Sequence, residues 1–308
     1  MAYSVVRRGA VAVASCVAGV ALLAGCGGSG PGGGLAASPF DVARAAPDLT
    51  KAAGTSRYEV EMTYSTSGGP LGDMTMRSHG SGTYDFEGQI GDGTYTNDDP
   101  MTGAPTQEEV VFRNNVLYQR QVGASRWHEV DFSGVVDTPI GQHDPSQQLD
   151  LLRGVSDDVR EVGSAEVRGD EVTRYDITID PQRLVGDSGV LVDDPLIRAA
   201  MSAARPIPGS VFVDSDGRVR RLELRIETAG SDIAVPPELQ EMLGEGSRLQ
   251  EMLGDRRSTS DVSVEYFDFG VPVTAQVPDQ STVDTGPIFT AVPGIPELPD
   301  LSELPGGN

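Results

Sequence analysis

From Arg57 to Ser65 the chain places Tyr58, Val60, Met62 and Tyr64 on one side and Glu59, Glu61 and Thr63 on the other. A period of two is the mark of a strand buried on one face and wet on the other, as in antiparallel sheets. The same alternation recurs in the stretches at 73–89, 108–121, 126–132, 158–180, 209–228 and 259–270. Within them "RNNV", "RGDE" and "DSDGR" read as hairpin turns, because Asn, Asp and Gly tolerate the left-handed backbone such turns need. The pattern predicts about 9–11 strands. The connections are too short for parallel crossovers, so the expected sheet is large and antiparallel.

Short helices interrupt the strands. Ser38 is placed to cap a helix that has Pro39 at its first position, and Pro47 is expected to break it into two short turns before Gly54. Asp144 precedes Pro145 in the same way, with Gln147 positioned to close a capping box and Leu149 and Leu152 on one face. Asp194 and Pro195 open a third pattern, with Leu196 on its apolar stripe. A direct repeat, "LQEMLGEGSR" then "LQEMLGDRRS", forms a helical insertion near 236–256. Each copy reads as one short helix ended by Gly244 or Gly254, and a tandem duplication in a loop explains it. Its Leu and Met residues are also suited to an apolar flap.

The amino-terminal stretch has a different pattern. Arg7 and Arg8 precede an uncharged run from Gly9 to Ala24. That run is shorter than the ~20 residues a membrane span requires, and it fits the apolar region of a secretory signal. "VASC" and "LAGC" both resemble a lipobox, an aliphatic residue and two small ones before cysteine. Only Cys26 has a full apolar run before it and a flexible stretch after it, whereas Cys16 falls inside the signal. The expected organisation is a lipoprotein signal peptide over 1–25, cleaved between Gly25 and Cys26, then a Gly-rich tether over 26–37. A folded domain follows over 38–285, with a Pro-rich tail over 286–308 that can neither pair as a strand nor run as a helix. The lipobox resemblance implies diacylglycerol on Cys26 and a lipid-anchored protein on the extracytoplasmic face of the cell membrane. The tether would span roughly 20 Å as a flexible coil.

Charge narrows the partners. The chain carries a formal −23, and removing Met1 to Gly25 takes two arginines and no acid, leaving −25. With no basic stripe, nucleic acid is not an expected partner. After cleavage Cys26 would be the one remaining cysteine, which leaves no internal disulfide, thiol nucleophile or Cys-based metal site. "GDSG" at 186–189 lacks the context of a protease nucleophile, and "DSDG" at 214–217 is flanked by strands rather than by the helices of a calcium loop. His79, His128 and His143 lack metal-ligand spacing in sequence. The expectation is therefore no enzyme, no catalytic residue, no metal and no cofactor.

The order of parts carries a resemblance. Lipobox, tether, short helix and "TSRYEVEM" lead to "DPSQQLDLLRG", "VRGDEVTRYDITID", "VFVDSDGRVRRLELRI" and a closing "VSVEYFDFGVPVTAQVPD". Over about Ser38 to Pro278 this resembles the actinobacterial lipoproteins of the LppX, LprA, LprF and LprG type, and more distantly the periplasmic carrier LolA. The resemblance implies an α+β fold. One strongly curved antiparallel sheet would form a half-open barrel, with short helices on its concave face and an apolar cavity for acyl chains between them. It implies a membrane-anchored carrier or chaperone of a lipid or lipoglycan in the cell envelope. The candidate cavity residues are Tyr58, Val60, Met62, Met74, Met76, Phe112, Tyr118, Leu149, Leu152, Tyr175, Ile177, Leu196, Leu222 and Leu224, any of which could equally fill a core. Methionine suits a wall that must adapt to variable chains. An anionic headgroup would need arginines such as Arg218, Arg220 and Arg221 at the mouth. The alternative is a protein-binding or sensory lipoprotein on the same fold, whose tail docks an envelope protein partner.

Overall fold

Each of the alternating stretches forms a strand or a hairpin of two. The computed structural model describes residues 37–68, 72–98, 104–131, 144–187, 205–230 and 256–285. In chain order these are β1 (Thr55–Ser67), β2 (Met74–Asp85), β3 (Ile90–Asp98), β4 (Pro105–Arg113), β5 (Val116–Gln121), β6 (Trp127–Asp131), β7 (Arg160–Val167), β8 (Asp170–Ile179), β9 (Ile207–Val213), β10 (Val219–Ala229), β11 (Arg257–Phe267) and β12 (Val283–Thr285). They form one 12-stranded sheet in the order β12-β6-β5-β4-β3-β2-β1-β11-β10-β9-β8-β7. The two outer strands, β12 and β7, are not paired with each other, so the sheet is open. All neighbours run antiparallel except β12, which lies parallel to β6. The expectations for the signal, the tether up to residue 36, Leu196, His143, the 239–254 repeat and the tail lie outside the described residues.

β3 and β12 exceed the pattern read from sequence. β3 is rich in glycine and carries no run of alternating apolar residues. β12 is three residues long, and Arg126 secures it with paired hydrogen bonds to Asp284. The turns hold as expected. At the β4–β5 turn Asn114 has φ 54°, and at the β7–β8 turn Arg168 and Gly169 have φ 53° and 86°. Asp214 fastens the β9–β10 turn by accepting from the backbone N–H groups of Asp216 and Arg218 at 3.0 and 2.9 Å.

Helix α1 (Pro39–Lys51) starts as the sequence predicts. Ser38 Oγ accepts from the Asp41 N–H, and Asp41 accepts in return from the Ser38 N–H. The expected break at Pro47 does not occur, and α1 runs on through it. Pro47 is buried along with Ala43, Ala46 and Thr50, so packing against the core outweighs the lost backbone bond. Thr50 fixes the helix to the sheet, donating to the Ala46 carbonyl at 2.7 Å and accepting from the Val219 N–H at 2.8 Å. Replacing Thr50 by valine leaves that buried N–H without its acceptor, with an expected loss of about 1–3 kcal/mol in chemical denaturation.

Helix α2 (Pro145–Asp150) runs into a 3₁₀ turn (Leu151–Gly154), and α3 (Pro181–Asp187) follows β8. Asp144 caps α2 by accepting from the Ser146 N–H at 2.8 Å. The expected capping box does not close, because the Gln147 side chain reaches Asn115 instead. Lys51 pairs with Asp150 at 2.8 Å and ties α1 to α2. No helix among the described residues is long and apolar enough to cross a membrane.

The buried residues form one main cluster. It runs from Leu117 on β5 and Phe112 on β4 to Tyr175 and Ile179 on β8, and it includes Ala43, Ala46, Leu149, Leu151 and Leu152 of the helices. Laid flat, β4 and β8 would be over 30 Å apart at about 4.8 Å per strand. A single cluster shared by both, with short helices at its centre, requires the sheet to curve around them.

Candidate functional site

The register assigns each side chain to a face. Tyr58 pairs with Gly82 and Tyr266, Val60 with Gly80 and Val264, Met62 with Ser78 and Val262, and Tyr64 with Met76 and Ser260. These residues share the core face with Leu222, Leu224, Tyr175 and Ile177, which follow across β10 and β8 through Val264, Val262, Val211 and Gly209.

Four glycines shape this face. Gly80, Gly82, Gly91 and Gly93 lie on β2 and β3, opposite or diagonal to Tyr95, Tyr58 and Tyr84. A Cβ on Gly80 would overlap the Tyr95 ring, one on Gly91 would meet Tyr84 at 2.5 Å, and one on Gly93 would overlap the Tyr58 hydroxyl. The rings therefore lie flat in slots that only hydrogen leaves open. Tyr84, Phe86 and Tyr266 pack in sequence as tilted rings, with centroids 5.3 and 6.5 Å apart and 48° between planes. The hydroxyls point at polar partners. Tyr58 donates to the Asp92 carbonyl at 3.2 Å, Tyr266 to the Pro145 carbonyl at 2.5 Å, and Tyr84 to Asp144 Oδ2 at 3.2 Å. Burial raises all four tyrosines well above the usual phenol value. Burial likewise pushes Asp144 up to about 6, against the lowering effect of its hydrogen bonds.

Of the sequence-derived cavity residues, Tyr58, Val60, Phe112, Leu149, Leu152, Tyr175, Ile177, Leu222 and Leu224 are buried in the main cluster, with Met62 packed against it. Met74 and Met76 share that face and are half-buried. Tyr118 is the exception. It pairs with Val111, whose side chain points away from the core, and it joins Val111 and Val283 in a small cluster on the other face. The chain turns back after Asn115, so Tyr118 falls out of phase with Phe112, and Leu117 takes the inward position.

The core face continues towards the far end of β1 and β2, where Thr66, Ser260 and Ile226 are buried. Met62, Tyr64, Met74 and Met76 are half-exposed there, beside a polar row in which Ser78 donates to Asn97 at 2.6 Å and Asn97 to Glu108 at 3.4 Å. Burial raises the Glu108 carboxyl above its ordinary value. Of the arginines named for a cavity mouth, Arg218 and Arg220 come together on Asp214 and over the Phe269 ring, and Arg221 lies apart from them. Arg218 holds Asp214 and Asp216, Arg220 holds Asp170 and the Tyr266 carbonyl, and Arg221 holds Glu265 on the opposite face.

That opposite face carries its own groove of about 640 Å³ across β8, β9, β10, β11 and β1. Within it Arg174 pairs with Asp176 and donates to the Ser210 hydroxyl, and Arg225 pairs with Asp261. Nearby, Glu59, Glu61 and His79 bring one ligand atom each within 4.8 Å of the others, a grouping assembled across β1 and β2 that spacing along the chain does not reveal. Arg168 already holds Glu59.

No protein-family model matches the chain, and no curated protein matches it by sequence. Solved structures do show likeness. LprF from Mycobacterium bovis aligns at 11% identity with a TM-score of 0.41, covering 78% of this chain and 96% of that one. The Mycobacterium tuberculosis lipoprotein LppX aligns at 15% identity and a TM-score of 0.41, over 77% of this chain and 98% of that one. A LolA superfamily protein from Nitrosomonas europaea aligns at 9% identity and a TM-score of 0.29, over 77% and 96%.

Proposed function

We propose that this chain is a lipid-anchored envelope protein that holds an acyl chain against the core face of its sheet and acts as a carrier or chaperone for a lipid or lipoglycan. The observation that carries the reading is the continuation of the apolar face towards the far end of β1 and β2, to the half-exposed Met62, Tyr64, Met74 and Met76. An open sheet lined by flexible, polarisable side chains at one end can accept chains of differing shape. Burial of about 0.8 kcal/mol per methylene is enough to hold even a partly enclosed chain. The reading involves no covalent chemistry. Cys26 would carry the anchor, and two acyl chains give stable attachment where one gives marginal attachment.

Native mass spectrometry of residues 27–308 tests the reading. The expected result is co-purifying lipid, or stoichiometric uptake of a fluorescent fatty acid that Met62→Lys weakens at least tenfold. A chain that carries no lipid and takes up no probe overturns it. In cells, Cys26→Ala is expected to move the protein from the membrane fraction to the soluble fraction.

A further inference from the structure

On the face turned away from the core, β1 and β2 bring together a histidine and two glutamates. Glu61 lies directly opposite His79 in the antiparallel ladder. Glu59 is two residues away on the same strand, and so on the same face. Tyr58, Val60 and Met62 take the alternate positions and pack into the core cluster. Side chains paired across two strands stand close enough to share one ligand. Here one ligand atom of each residue lies within 4.8 Å of the other two, and His79 Nδ1 is 3.8 Å from Glu59 Oε1. The histidine makes this more than a group of acids. An imidazole nitrogen with two carboxylate oxygens suits zinc and its neighbours, whereas calcium takes about six to eight oxygens.

The surroundings orient this set and leave it accessible. Arg168 pairs with Glu59 Oε2, so the oxygen nearer His79 is left over. Arg168 is itself fixed by Glu265, with its guanidinium carbon 3.9 Å from the centre of the Phe267 ring. It thus holds Glu59 as an outer partner holds a metal-ligating carboxylate. Glu61 has no hydrogen bond or ion pair among the described residues. The His79 side chain is 53% exposed, so an ion reaches it without any movement of the sheet. Because Arg168 adds a positive charge beside the site, attraction by charge alone is weak there. Binding has to come from direct coordination, which histidine offers to zinc far better than to magnesium.

We propose that Glu59, Glu61 and His79 form a site for a divalent transition-metal ion, with zinc the best match. His79 binds as the neutral imidazole, through the nitrogen that faces Glu59. Glu59 Oε1 and one oxygen of Glu61 complete three protein ligands. A fourth position stays open to water, as in zinc sites with three protein ligands. It opens on the face that carries the groove, which Glu61 also lines. The bound ion joins β1 to β2 across their outer face and sits between two carboxylates of one strand that otherwise repel. The site does not depend on the acyl-binding reading, which concerns the other face of the sheet.

Isothermal titration calorimetry of the untagged full chain with zinc chloride tests this. Cys16→Ser and Cys26→Ser are present in every protein, so that no thiol competes for the ion. The expected result is one Zn²⁺ per chain, retained against a roughly hundredfold excess of magnesium. His79→Ala and Glu61→Gln are each expected to weaken binding about tenfold or more. His128→Ala removes the exposed histidine of β6 and is expected to leave binding unchanged. Nuclear magnetic resonance of the parent protein gives a second readout, in which zinc is expected to shift the His79 ring signals and not those of His128. No stoichiometric binding, an unmoved His79 ring, displacement by magnesium, or a site that survives His79→Ala overturns the proposal. So does weak binding of several ions per chain that is equal in all variants, which an acidic surface alone would give.

Discussion

Gly80→Ala is expected to destabilise the protein by about 3 kcal/mol or more in urea or thermal denaturation, at the upper end of what one added methyl does in a packed core. The added Cβ overlaps the Tyr95 ring, and that ring has little room to yield. Tyr95 is 2% exposed, and the neighbouring slot on Gly93 is filled by the Tyr58 hydroxyl. A double-mutant cycle checks the cause. In a Tyr95→Ala background the same glycine substitution is expected to cost under about 1 kcal/mol, because the clash is gone. Thr94→Ala, on the exposed side of β3, should stay within about 0.5 kcal/mol of wild type. Equal costs of Gly80→Ala in both backgrounds would remove the ring slot from the account.

Leu152→Ala has the second largest expected effect. Leu152 is fully buried, it lies in the main cluster between the 3₁₀ turn and the sheet, and the turn around it is short. Truncation leaves a cavity that so short a segment cannot close by shifting, so a loss of about 2–5 kcal/mol is expected from the denaturation midpoint. Val162→Ala on β7 is the matched control. Val162 is 50% exposed, so its removal should change stability by under about 0.5 kcal/mol. A Leu152→Ala loss no larger than that of the control would mean that α2 and its 3₁₀ turn do not seat as described.

The parts legible from sequence alone were those in which one residue type serves one purpose. Tyr58, Val60, Met62 and Tyr64 keep one period through β1, and the register places all of them on one face. Ser38 with Pro39 and Asp144 with Pro145 mark the starts of α1 and α2. What escaped depends on partners from distant parts of the chain. Gly91 and Gly93 argue against a strand by propensity, and β3 forms because Tyr58 and Tyr84 supply the bulk those glycines lack. Tyr118 is alternating and aromatic, yet its face was set by the turn at Asn114 and Asn115 rather than by its own type. Helix α3 had a local signal, since Asp180 precedes Pro181 and accepts from the Gln182 N–H at 2.9 Å, as Asp144 does for α2. The burial of Asp144 had none, because the Tyr84 hydroxyl that meets its carboxyl comes from β2, 60 residues away in the chain.

The strand order also bears on how the fold is reached. β2 to β6 and β7 to β11 are each built by neighbours in sequence, as two meanders. They are joined through β1 against β11, where Tyr58 meets Tyr266. That seam closes a loop of roughly 200 residues, and its entropy must be overcome before the contacts repay it. Each meander can therefore zip locally and quickly, while the pairing that completes the tyrosine floor waits on a slow search. Folding of this chain should be timed by its central seam and not by its edges.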